Sequence, residues 1–285
     1  MAASLSEGIF TSRPCVFVVG EDKREFLFHS DLVKRESEAL GKLIDTSFAE
    51  GRNGYVVLRD DNAETISAFA QFIYTGDYHL SSDMSTTATD SGNESHKTDN
   101  PEDDSRLWRR PYNCLWRRFV QSNEYKNQEP VSDSYIPCDK SSKTWRETDN
   151  LDEPPYFNTG DMEKNYSEFF ISHAKTFVFA KYYGIEKLMN LSMQRLHKLL
   201  CNFGLSRERI KDVLALIRYC YDRPGLEKLK KMVAAYSAAI INAQVSDVVA
   251  ECFRDLLREK GEFAADIAWA LACRVTQSTE LRLFR

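Results

Sequence analysis

Cys15-Val16-Phe17-Val18-Val19-Gly20-Glu21-Asp22-Lys23-Arg24-Glu25-Phe26-Leu27-Phe28 is the stretch that decides the fold class. An apolar, β-branched run meets a glycine and a charged turn, and the apolar stretch Glu25 to Phe28 resumes directly afterwards, which reads as a β-hairpin. Ser30, ahead of Asp31-Leu32-Val33, has the character of a helix N-cap with an acidic first turn. The apolar positions Leu32, Leu40, Leu43 and Ile44 suit two short helices. Gly51-Arg52-Asn53-Gly54 is a turn cluster, and Tyr55-Val56-Val57-Leu58 is a brief third strand. Asp61 with Glu64 resembles a capping box, and Ile66, Phe69, Ala70 and Ile73 form one face of the next helix. Thr75-Gly76-Asp77 ends it.

Downstream the character changes twice. Residues 79–162 are rich in Ser, Thr, Asp, Asn and Pro with little apolar periodicity, a composition that cannot offset its ordering entropy, and they read as a disordered insert. Helical periodicity then returns from Glu163 to Tyr183, closed by Gly184, and from Ile185 to Cys201 with Leu188, Leu191, Leu196 and Leu199 on one face. Ser206 is the candidate cap of a segment bearing Ile210, Val213, Leu214 and Ile217. Pro224-Gly225 separates it from a helix bearing Leu226, Leu229, Val233, Tyr236 and Ile240. Two further helices, Val248 to Leu257 and Glu262 to Val275, complete an all-helical tail.

The 285 residues, 42% hydrophobic, are enough for two buried cores. A net charge of -5 argues against phosphate backbones or acidic membranes as default partners. No segment approaches the roughly 18 apolar residues of a membrane span. The seven cysteines are scattered without a Cys-x-x-Cys knuckle, which fits a reducing, intracellular setting in cytoplasm or nucleus. The sequons at Asn93, Asn165 and Asn190 are accordingly read as accidental.

Three segments carry a resemblance: Phe28-His29-Ser30-Asp31-Leu32 in the first core helix, Val56-Val57-Leu58-Arg59-Asp60-Asp61, and Phe69-Ala70-Gln71-Phe72-Ile73-Tyr74-Thr75-Gly76-Asp77-Tyr78. Together they resemble BTB/POZ domains, most like the fungal-type members. His173-Ala174-Lys175-Thr176-Phe177-Val178-Phe179-Ala180-Lys181-Tyr182-Tyr183-Gly184-Ile185 is similar to the helix pair that closes that family's domain after a variable insert. The resemblance implies an α+β fold, a small sheet covered by helices, with a BTB/POZ core at 9–78, the insert at 79–162, the closing pair at 163–202 and a helical extension at 203–285. Ser12-Arg13-Pro14 departs from the family's usual Ser-Asp ahead of the first strand, and few residues precede it for a dimerising N-terminal helix.

The resemblance also implies adaptor work. Phe48-Ala49-Glu50 stands where the family's cullin-binding adaptors carry a hydrophobic-x-Glu element, so Phe48 and Glu50 are the candidate contact with a cullin-type ubiquitin-ligase scaffold. An exposed apolar anchor would fill a pocket while the carboxylate fixes register. The competing reading makes Phe48 core, and the competing function is an oligomerising or transcription-regulatory scaffold with self-association and no ubiquitin role.

Motifs for chemistry are missing from the sequence. His29 has no nucleophile or carboxylate pair placed to work with it, and no phosphate loop, nucleophile elbow or His-Glu-x-x-His is present. The expectation is a non-enzyme without cofactor. His197 and Cys201 share a helix face at ligand spacing, but nothing completes a four-ligand site, so helix packing is preferred over metal. Within the insert, Leu-Trp-Arg-Arg occurs twice. Trp108, Arg109, Arg110, Trp116, Arg117 and Arg118 form a candidate basic-aromatic linear motif, weighed against a passive linker.

Overall fold

The computed structural model describes residues 7–50, 54–80, 119–122, 166–203, 209–241 and 247–283, and the chain divides into two compact units, Met1–His96 with Ile171–Arg195 and Lys97–Phe170 with Leu196–Arg285. It is mixed α/β and mostly helical, with a small three-stranded sheet.

In the first unit, after a short helix α1 (Glu7–Phe10), strands β1 (Pro14–Val19) and β2 (Arg24–His29) pair antiparallel from Pro14↔His29 to Val19↔Arg24. Their turn begins at Gly20, whose φ of +68° is a conformation glycine adopts without a Cβ penalty. Cys15, Phe17, Val19 and Phe28 face inward and are buried. Helices α2 (Ser30–Glu36) and α3 (Glu38–Ala49) follow. The expected cap at Ser30 is not one: Ser30 lies inside α2 and is buried, and the cap position falls on His29, which makes no side-chain cap bond. Ser37 caps α3 instead, accepting from the Leu40 backbone N–H. Leu32, Leu40 and Ile44 are buried, whereas Leu43, 43% exposed, faces outward.

Strand β3 (Tyr55–Leu58) lies parallel to β1, giving the order β2-β1-β3. Helix α4 (Ala63–Thr75) packs Ile66, Phe69, Phe72 and Ile73 inward. Its cap is Asn62, which accepts from the Glu64 N–H, and Asp61 takes no part in capping. Gly76, at φ +81°, terminates it in the left-handed region where a side chain is disfavoured.

Helices α5 (Tyr166–Tyr182) and α6 (Glu186–Asn202) begin and end on opposite sides of the unit boundaries. Between them the Ile185 N–H donates to the Ala180 carbonyl and the Gly184 N–H to Lys181, the paired bonds of a Schellman turn around a left-handed Gly184. Phe179, Ala180, Tyr183, Ile185 and Leu188 join the same core as the hairpin and α4. A run of rings connects the elements: Phe17–Phe28 at 4.9 Å, Phe28–Phe69 at 5.8 Å, Phe69–Phe179 at 5.4 Å and Phe179–Tyr183 at 4.7 Å between centroids. Polar ties repeat the connection. The Tyr183 hydroxyl donates to Asp61, Ser37 donates to the Tyr183 carbonyl at 2.6 Å, Ser172 donates to Glu64, and Arg195 pairs with Asp77 at 2.6 Å.

The second unit contains α7 (Ile210–Tyr221), α8 (Glu227–Ile241), α9 (Asp247–Glu259) and α10 (Gly261–Leu283). Val213, Leu216, Ile217, Leu229, Val233, Tyr236, Phe253, Leu256, Phe263 and Ile267 are buried. Lys230, only 3% exposed, is held by both carboxylate oxygens of Glu262 at 2.7 and 2.8 Å. Ser206, the expected cap, lies outside the described residues, and α7 starts from Arg209 without a side-chain cap. Most of the expected insert also lies outside them. Phe119, however, does not behave as linker: it is buried at 2% exposure with its ring 4.7 Å from His197 and 5.3 Å from Tyr236. An aromatic ring of this size brings enough apolar area to hold a short segment in a core despite polar neighbours in sequence.

Candidate protein-docking surface

The sheet has a covered face and an open one. Register places Leu27, Val16 and Tyr55 side by side in one row, and Glu25, Val18 and Val57 in the next. Leu27 is 69% exposed, Val57 57% and Tyr55 44%, with Val16 and Val18 half-buried between them. Sheets with one solvated face ordinarily alternate apolar-in with polar-out. Here five of six outward positions in the two rows are apolar, and only Glu25 carries a charge. Leu27, Tyr55 and Val57 thus form a small exposed apolar group on the outer face of the sheet.

The strand edges are less available than the face. Ser47 donates to the Tyr55 carbonyl at 2.8 Å on the β3 side, and the Tyr74 hydroxyl sits 3.4 Å from the His29 N–H on the β2 side. Side chains thus occupy backbone groups that an added strand would need.

Phe48 and Glu50 stand at the corner where α3 runs toward β3. Phe48 is not the free-standing anchor its spacing suggested: it is half-buried and packs against the core cluster. Its ring lies so near Gly54 that a Cβ there would come within 2.7 Å of it, and the Arg13 guanidinium covers it at 5.5 Å. Glu50 closes α3 as its C-cap residue and is exposed. The two stand two residues apart with different work, Phe48 as an aromatic plug beneath an arginine and Glu50 as the exposed residue that ends α3. Trp108, Arg109, Arg110, Trp116, Arg117 and Arg118 lie outside the described residues.

Ion-pair partners shift the surface groups Glu38, Glu259 and Lys260, and burial shifts several interior ones. His173 is pushed down to about 3 by burial and the nearby Arg195 charge, with its Nδ1 2.8 Å from the buried Tyr78 hydroxyl. Burial raises the Cys15 thiol to about 11, which suppresses thiolate chemistry. His29 shares a 2.9 Å hydrogen bond with Tyr74. His197 places Nε2 2.8 Å from the Phe119 carbonyl, an acceptor, which fixes the proton on that nitrogen and engages the ring in packing. The Cys201 sulfur is 3.6 Å from the same nitrogen. Among the described residues no group of three or more His, Cys, Asp or Glu is arranged to hold a metal ion, and no helix is long and apolar enough to cross a membrane.

Sequence reasoning missed the open sheet face, although a signal existed. Pro14-Cys-Val-Phe-Val-Val19 and Tyr55-Val-Val-Leu58 are apolar at both alternating positions, as strands covered on both sides are. In this unit helices cover one side. Comparison with protein-family models, with curated proteins and with solved structures finds no match to the chain.

Proposed function

We propose that the chain is a non-enzymatic protein-interaction module, with a BTB/POZ-type first unit that acts as an adaptor for a cullin-type ubiquitin-ligase scaffold inside the cell. The observation that carries the reading is the composition of the first unit's core. Hairpin, two short helices, a third strand and α4 are completed by Phe179, Tyr183, Ile185 and Leu188 from beyond a long insert, in the chain order that the resemblance implies. Fold alone does not specify activity, so the docking claim rests on the surface. Glu50 is exposed two residues after the half-buried Phe48, and the spacing fits the hydrophobic-x-Glu element of cullin-binding adaptors.

The division of labour between the two residues chooses the test. Replacing Phe48 disturbs packing over Gly54, so Glu50→Lys is the informative variant. The purified chain is titrated against the N-terminal region of the BTB-binding cullin from its own cell. Wild-type binding that weakens about tenfold or more in a Glu50→Lys protein of unchanged melting temperature supports the adaptor reading, consistent with loss of a charged interface contact. Absence of wild-type binding refutes it.

A further inference from the structure

We infer that Phe119 is a detachable ligand held in cis, and that the pocket it fills in the second unit is a binding site for a peptide segment carrying phenylalanine. This stands apart from the adaptor reading, since none of the residues concerned belongs to the first unit.

The occupant defines the pocket. The Phe119 ring, 2% exposed, lies between His197 of α6 and Tyr236 of α8, 4.7 and 5.3 Å away between centroids and tilted by 53° and 56°. Tilted ring pairs add attraction beyond the area they bury, so the site favours an aromatic side chain over an aliphatic one. The backbone of the same residue is gripped as well, because the His197 Nε2–H donates to the Phe119 carbonyl at 2.8 Å. His197 and Tyr236 are themselves buried, so their own helices hold them in place. A pocket for one side chain joined to a main-chain hydrogen bond is how folded domains read short peptide segments.

Chain continuity does not force the contact. His197 is 78 residues beyond Phe119 in sequence. Of the described stretch 119–122, Phe119 alone is buried, with Val120 and Ser122 half-buried and Gln121 exposed. One buried ring is enough to hold the stretch but not by a wide margin, since the backbone around it must be ordered for a single anchor. The tether supplies the remaining bias. A flexible connection gives the segment an effective concentration of up to about a millimolar at the pocket. At that limit a pocket with an intrinsic Kd of about 0.1 mM is filled in about nine chains of ten, and the remaining tenth is open to a segment from another protein.

Two measurements on the full chain test this. In the wild-type chain, hydrogen exchange compares the Ser122 amide, which donates to the Phe119 carbonyl at 3.2 Å, with amides in the middle of α7 and α8. The expected protection at Ser122 is about tenfold, against about a thousandfold or more in the two helices. In a titration, a synthetic peptide of residues 117–124 binds the Phe119→Ala chain with a Kd of about 0.1 mM and the wild-type chain about tenfold more weakly, because the wild-type segment competes for the pocket. The Phe119→Leu form of the peptide binds at least about threefold more weakly than the native form, and the Phe119→Ala form does not bind. Ser122 protection equal to that of α7 and α8 overturns the inference, since Phe119 then leaves only when the unit unfolds. So does a folded Phe119→Ala chain that fails to bind the native peptide, and so does a wild-type chain that binds it equally well. A Phe119→Ala chain whose α7 and α8 lose their protection also overturns it, because the ring is then integral core.

Discussion

Phe179→Ala probes whether the helix beyond the insert is an integral part of the first unit. The ring is 2% exposed, 5.4 Å from Phe69 and 4.7 Å from Tyr183 between centroids. Truncating a buried phenylalanine costs about 3 to 5 kcal/mol, through lost transfer energy and the cavity left behind. Against the 5 to 15 kcal/mol typical of a domain, that is a large share. The informative readout is hydrogen exchange of β1 and α4 amides, which belong to the same unit but precede the insert. Where those amides exchange by global opening of the unit, at about 1.4 kcal/mol per decade the loss accelerates exchange by roughly two to three and a half powers of ten. A double-mutant cycle with Phe69→Leu adds a coupling of about 0.5 to 1.5 kcal/mol for the ring pair. Exchange in β1 that rises less than about threefold, on amides shown to report global opening, would refute the shared core.

Gly54→Ala puts a side chain at φ +80° and within 2.7 Å of the Phe48 ring, so thermal melting should show a loss of about 1 to 3 kcal/mol, and wild-type-like stability would exclude the close approach. Burial lowers His173 to about 3, so the unfolded chain binds the proton first as pH falls below histidine's ordinary 6.5, and the first unit loses up to about 1.4 kcal/mol per pH unit from there toward pH 3. His173→Gln should flatten that part of the pH–stability curve, measured by urea denaturation. Asp61 behaves oppositely: burial, its largest cause, raises its carboxyl, so its ionisation opposes folding as pH rises through the folded value, and Asp61→Asn should gain relative to wild type between acid and neutral pH. Glu262→Ala leaves Lys230 buried without its carboxylate and should cost the second unit about 1 to 3 kcal/mol, more than Lys230→Met does; equal losses would show that the ammonium is solvated.

Local chemistry was legible where it decides local structure. β-Branched alternation around a glycine turn located β1, β2 and β3 to within a residue, and helical spacing found the buried faces of α4, α7 and α8. What stayed hidden depends on partners far along the chain. Asp61 read as a cap because Glu64 stands three residues on, yet it accepts from Tyr183, and the cap passed to Asn62. Leu43 satisfied the spacing of a buried residue, but α3 turns it to solvent. Phe119 was submerged in a polar composition that the average of a window cannot separate from one anchoring ring. The docking candidate was legible as a pattern, Phe48-x-Glu50, but the burial of its aromatic member under Arg13 and against Gly54 was not, because it depends on the return of β3.

The core shared across the insert imposes a schedule on synthesis. By the time Leu80 has left the ribosome, the hairpin, α2, α3 and α4 are available, but Phe28, Ile66 and Phe69 still lack the surface that Phe179 and Leu188 provide. At about 5 to 20 residues per second, roughly 100 further residues take about 5 to 20 s to appear. For that interval the nascent chain presents an unfinished apolar face. Insert length, whatever else it does, acts as a timer on that exposure.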